Sequence, residues 1–128
     1  MAHHFKKHYS LDEARELLPQ VRRWLEDLIR LRNQLLKTDL RINALTAPGG
    51  DFGGELVNTW VRHIADLRQA LAQFESREIQ VKDIDRGLVD FPAIIGGKEV
   101  FLCWEKDEDD IEFWHDLETG YGGRERLG

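Results

Sequence analysis

A single cysteine, Cys103, and three prolines stand among the 128 residues of this chain. One thiol excludes an internal disulfide, and nothing else in the composition asks for an oxidising compartment. No apolar run approaches the roughly 20 residues that a bilayer-spanning helix needs. The opening MAHHFKKHYS lacks the apolar stretch of a secretory leader. These absences predict a soluble, cytoplasmic protein without a membrane partner. Calcium-loop spacing and a phosphate loop are both missing, and no nucleophile–base motif stands out. Positive charge is in deficit, with 18 Lys and Arg against 24 Asp and Glu and a formal net charge of −6. Such a chain has no general attraction for phosphate backbones, so a nucleic-acid partner is not expected.

What is present reads as one globular domain: 41% hydrophobic and 33% charged residues, in a length sufficient for an independent core. Charge is unevenly placed. Arg22, Arg23, Arg30, Arg32, Lys37 and Arg41 crowd the first half, while six acids fall between Glu105 and Glu112. Solvated faces and self-complementarity are the simplest reading of that contrast. His3, His4 and His8 offer imidazoles to a metal ion, but residues 1–9 read as a flexible tail.

Ser10 and Glu13 form a capping box, each side chain satisfying an orphan N–H of a first helical turn. Beyond it Leu17, Val21, Trp24, Leu28, Leu31, Leu35, Thr38, Ile42 and Leu45 come at alternating steps of four and three. That is a heptad seam of coiled-coil type, widened by Leu18, Leu25 and Ile29. It predicts a helix over 11–45, on the order of 50 Å long, kinked where Pro19 removes a backbone bond. The glycine-rich TAPGGDFGG (46–54) ends it. A second helix is predicted over 55–75, with Leu56, Trp60, Ile64, Leu67, Leu71 and Phe74 on one face. The shorter return helix leaves the part of its partner around Leu17 and Val21 to be covered by the C-terminal half of the chain. A two-helix seam this apolar also predicts a homodimer through the helical hairpin.

Residues 77–117 read as an antiparallel β-meander of three to four strands, 78–82, 88–95, 99–104 and 111–115, with Gly96-Gly97 as a two-residue hairpin turn. Pro92 predicts a point where one side of its strand is open. The hairpin register sets Ile95 opposite Lys98, Phe91 opposite Leu102 and Asp90 opposite Cys103. If the acidic turn has an even number of residues, Leu102 faces His115 and Cys103 faces Trp114. His115 then lies on the apolar face with Phe91, Leu102 and Trp104, and Trp114 lies on the other face with Asp90 and Cys103. The whole is an α+β fold: a tail (1–9), then one domain (10–128) made of the helical hairpin (10–76), the meander (77–117) and a C-terminal strap (118–128).

The run KDIDRGLVDFP from Lys82, the strand VFLCW ending at Trp104, WHDLETGYGGR from Trp114 and the opening SLDEARELLPQVR at Ser10 resemble a bacterial family known as domain of unknown function 2203. The resemblance covers almost the whole chain. It implies a cytoplasmic bacterial protein with no assigned activity. Where the family usually has a Gly-Glu turn between CW and WH, this chain has Lys106-Asp107-Glu108-Asp109-Asp110.

Chemistry-bearing candidates gather at the sheet and strap. Asp90 interrupts an apolar run, so it is either a metal ligand or general base, or is compensated by Arg86, Arg124 or a backbone N–H. His115 and His63 read first as satisfied core histidines. Cys103 reads first as a small buried hydrophobe, since a carboxylate opposite would raise its pKa and oppose a nucleophilic role. Arg124, after Gly122-Gly123, offers a forked donor to an anion or a partner for Asp90 or Asp116. The candidate ligand-binding set is therefore Asp90, Cys103, His115, Asp116 and Arg124, with Asp90, His115 and Asp116 as the candidate ligands of a divalent metal. With no catalytic constellation beside the seam, the leading expectation is a dimeric interaction or scaffold protein with a further protein partner. The competing one is a metal- or small-ligand-binding protein, or a hydrolase, with its site at the sheet and tail.

Overall fold

A computed structural model describes residues 3–45 and 54–128; the predicted linker at 46–53 lies outside the described residues. Helix α1 spans Leu11–Leu45 and runs unbroken through Pro19, and α2 spans Gly54–Glu75. The capping box forms at the start of α1: Glu13 N–H donates to Ser10 Oγ at 3.1 Å, and Ser10 N–H to Glu13 Oε1 at 2.9 Å. Five antiparallel strands come next, β1 (Gln80–Asp83), β2 (Leu88–Ile95), β3 (Lys98–Glu105), β4 (Phe113–Asp116) and β5 (Glu125–Arg126), paired in chain order. The strap thus adds a fifth short strand to the three or four expected.

The α1 stripe that reaches the core is Ala14, Leu18, Val21, Leu25 and Leu28, all buried. Leu17 and Trp24, placed in the seam by their spacing, flank it and are partly buried. The apolar sector of α1 is broad because its N-terminal half has two neighbours, the sheet and α2. Val89, Phe91, Ala93, Val100, Leu102 and Trp104 supply the sheet's side of this core. The part of α1 that the shorter α2 leaves bare is therefore covered by the sheet, as the lengths imply. Farther out the hairpin is tied by polar pairs, Thr38 Oγ1 to His63 Nδ1 at 2.9 Å and Trp60 Nε1–H to Asp39 Oδ1 at 2.5 Å. His63 is thus half-buried and satisfied across the hairpin.

The acidic turn is met by two arginines of α1, Arg15 and, from the basic patch, Arg22. Arg15 pairs with Asp110 at 3.2 Å. Arg22 donates to the carbonyls of Lys106, Glu108 and Asp109 and stacks on Trp104, 4.8 Å from the ring centre. Arginines of α1 that close to an acidic turn are largely spoken for by their own chain. No helix among the described residues is long and apolar enough to cross a membrane.

The segment before α1, expected as a flexible tail, is hydrogen-bonded to the sheet and its approaches. His4 and Phe5 N–H donate to Glu99 at 2.8 and 3.1 Å, and Lys6 and Lys7 N–H to Glu78 Oε1 at 2.9 and 2.8 Å. Tyr9 N–H donates to Pro92 O at 2.7 Å, just beyond Asp90, where the pairing of β1 with β2 stops. The open side predicted by Pro92 is filled by the chain's own beginning.

Candidate functional site

The tight turn at Gly96-Gly97 fixes the first part of the site. Both glycines have positive φ, 58° and 78°, which a two-residue turn matching strand twist requires. The resulting register sets Ile95 against Lys98 and Asp90 against Cys103, as the spacing predicts. The second register departs from expectation. Leu102 pairs with Trp114, and Phe101 with His115. An odd number of residues separates Cys103 from its partner Phe113, so β4 slides by one position and its side chains exchange faces. Trp114 joins the helix-facing core, while His115 and Phe113 move to the outer face with Asp90, Phe101 and Cys103.

That outer face is buried too. Asp90, Cys103 and His115 are 1%, 0% and 2% exposed. Phe5 packs on Phe101 with ring centres 5.4 Å apart, and Phe101 packs on His115 at 5.5 Å. From the other end of the chain, Arg124 lies 3.9 Å over the Phe113 ring and 3.9 Å from Cys103 Sγ. Each terminal segment therefore roofs part of the site.

Donor atoms of Asp90, Cys103 and His115 all lie within 4.8 Å of one another. His115 Nε2 is 3.0 Å from Asp90 Oδ2, and Nδ1 is 2.6 Å from the backbone carbonyl of Asp116. A carbonyl oxygen only accepts, so Nδ1 carries a hydrogen. Nε2 and Oδ2 must then share one proton, because otherwise two lone pairs would face each other in a buried place. Burial pushes the Asp90 carboxyl above the ordinary range, against the lowering influence of His115 and of Lys82. Burial and the Asp90 charge push the Cys103 thiol up to about 12, with Arg124 pulling the other way. The thiol is un-ionised at neutral pH, which removes it as a free nucleophile. Asp90 Oδ1 is buried, and beyond His115 the carboxylate's side-chain partner is the weakly donating Cys103 thiol.

Two candidates touch the cluster without joining its donor set. The carboxylate of Asp116 pairs with Lys98 at 2.9 Å, so Asp116 meets His115 only through its backbone oxygen. Arg124 pairs with Glu108 at 3.0 Å, not with Asp90 or Asp116. His115 is the partner that compensates Asp90, in place of Arg86, Arg124 or a backbone N–H. Sequence reasoning missed Glu78 and Glu99, which receive the backbone of the N-terminal segment. Their partners lie 71 to 95 residues away, and no local spacing signals such a contact. It also missed an adjoining cavity of about 580 Å³, which Phe5, Phe101, Lys82 and Asp116 help to line.

The fold and this outer-face cluster thus define an α+β protein with a buried carboxylate–thiol–imidazole group. The chain belongs to the family described as uncharacterized conserved protein (DUF2203), whose model matches residues 7–127. No curated protein and no solved structure matches it.

Proposed function

We propose that this protein binds a divalent transition-metal ion of the zinc class through Asp90, Cys103 and His115. The observation that carries the reading is the buried convergence of three donor atoms within 4.8 Å of one another. A purely structural cluster pairs Oδ2 with Nε2 and offers the rest of the carboxylate only the weakly donating Cys103 thiol. A metal ion supplies a stronger partner. Sulfur, nitrogen and oxygen donors together suit zinc, with bonds of about 2.0–2.3 Å. The hydrogen bond from His115 Nδ1 to a backbone carbonyl is the outer-shell contact that orients a ligating imidazole.

Charge favours the same reading. A divalent ion with one thiolate, one carboxylate and a neutral imidazole is neutral overall, and a buried site requires near-neutrality. The metal displaces the thiol proton that burial otherwise retains. Three protein donors leave a position for a further ligand. Cys103 is the sole cysteine, so the test is unambiguous. Cobalt(II) added to metal-free protein should give a thiolate-to-cobalt charge-transfer band at one equivalent, absent from Cys103→Ala. A wild-type titration without that band sinks the reading.

A second reading rests on a different surface. Leu36, Leu40 and Leu45 of α1 and Val61 of α2 are exposed, Leu40 to 70% and Val61 to 54%. They belong to the part of the hairpin away from the sheet, where a second copy would add the same side chains across a twofold axis and cover them. Light scattering at tens of micromolar should give twice the chain mass, and Leu40→Glu should halve it. A wild-type monomer at that concentration ends this reading.

A further inference from the structure

We infer that His3, His8 and Glu99 form a second, surface site for a divalent transition-metal ion, built by docking the N-terminal segment on β3. Their donor atoms lie within 4.8 Å of one another. His8 Nε2 is 2.7 Å from Glu99 Oε2, and the His3 and His8 rings meet edge to face with centres 5.0 Å apart. Two imidazoles and a carboxylate are a donor set for zinc and its neighbours rather than for calcium or magnesium, which favour oxygen throughout.

Glu99 is held in place before any metal arrives. His4 N–H binds one carboxylate oxygen at 2.8 Å and Phe5 N–H the other at 3.1 Å. Such outer-shell bonds fix a ligating carboxylate, and here they come from the backbone flanked by the two histidines. A glutamate side chain is ordinarily ionised at neutral pH, so the ion meets a carboxylate.

Little movement is required. Bonds of about 2.0–2.2 Å in a tetrahedral site set donors roughly 3.3 Å apart. His8 and Glu99 need only part by a fraction of an ångström as the ion replaces the proton between them. His3 is exposed and free of the core, so its ring can close the third position. Glu99, His4 and Phe5 also line the 580 Å³ cavity, which sets the ion at that cavity's rim. This site shares no ligand with the buried cluster and stands whether or not that cluster holds metal.

The experiment is calorimetric titration of full-length Cys103→Ala protein with zinc ions, which removes the buried thiolate. One equivalent should bind, and adding His3→Ala or Glu99→Gln should weaken it at least tenfold. His3→Ala touches an exposed residue, so it reads the site without disturbing the fold. Binding that Glu99→Gln leaves unchanged would mean chelation by terminal histidines alone, and would overturn the proposal. So would the absence of sub-millimolar binding in the Cys103→Ala protein.

Discussion

At the scale of single residues, Asp90 is where sequence and burial pull hardest against each other. A carboxyl group in the run Gly-Leu-Val-Asp-Phe-Pro is tolerated because His115 shares a proton with it. Removing the carboxyl leaves Nε2 without a partner in a dry place. Asp90→Ala in metal-free protein should therefore lower the unfolding free energy by about 1–3 kcal/mol, measured by urea titration. Asp90→Asn should cost less than about 1 kcal/mol, since its amide N–H still donates to Nε2. Both should abolish the cobalt–thiolate signal, Asn because a neutral amide is a poor ligand for this class of ion. An Asp90→Asn protein that keeps the signal would place the ion's anchors elsewhere.

At the scale of elements, the sequence made legible whatever is encoded within a few residues. Ser10 with Glu13 stated a helix start, and that start is present with both reciprocal bonds. Ser10→Ala should lower stability by about 1 kcal/mol and the melting temperature by a few degrees, checked by calorimetry. An unchanged melting temperature would mean that the first turn is held by the sheet instead. The β2–β3 register was equally legible, because two glycines leave one turn geometry. The β3–β4 register was not. Its connection is an acidic turn of nine residues, from Trp104 to Glu112, stabilised by tertiary bonds such as Arg15 to Ile111 O at 2.8 Å and Arg22 to three carbonyls. Whether such a turn counts odd or even is decided by those distant partners. That one position exchanged Trp114 and His115 between faces. Asp90 and Cys103 were legible as neighbours, and His115 as their companion was not.

At the scale of the whole molecule, the chain's two ends finish the structure. Backbone N–H groups of residues 4–7 recognise carboxylates rather than pockets, so the identity of those side chains matters less than the two glutamates. Glu99 gives the pH signature. Its carboxyl is lowered from 4.5 to about 2, so the unfolded chain takes up its proton first. The stability it contributes is complete above pH 4.5 and is lost as pH falls from there toward 2. In metal-free protein, Glu99→Gln should flatten that acid limb in denaturant titrations at successive pH values. A limb of unchanged slope would show that the bonds to the Glu99 carboxylate contribute nothing to the fold's free energy.

The strand order has a consequence for how the chain is made. Each strand pairs with the one just before it, so hairpin and meander close through short loops that cost little entropy. Contacts made by α1 with the sheet and by the N-terminal segment are the exceptions, since Arg15 reaches Ile111 across 96 residues and His4 and Phe5 reach Glu99 across 95 and 94. During synthesis His4 and Phe5 leave the ribosome well before β3 and wait until it has emerged before their partner exists. The segment ahead of α1 thus docks in part on a strand made more than 90 residues later.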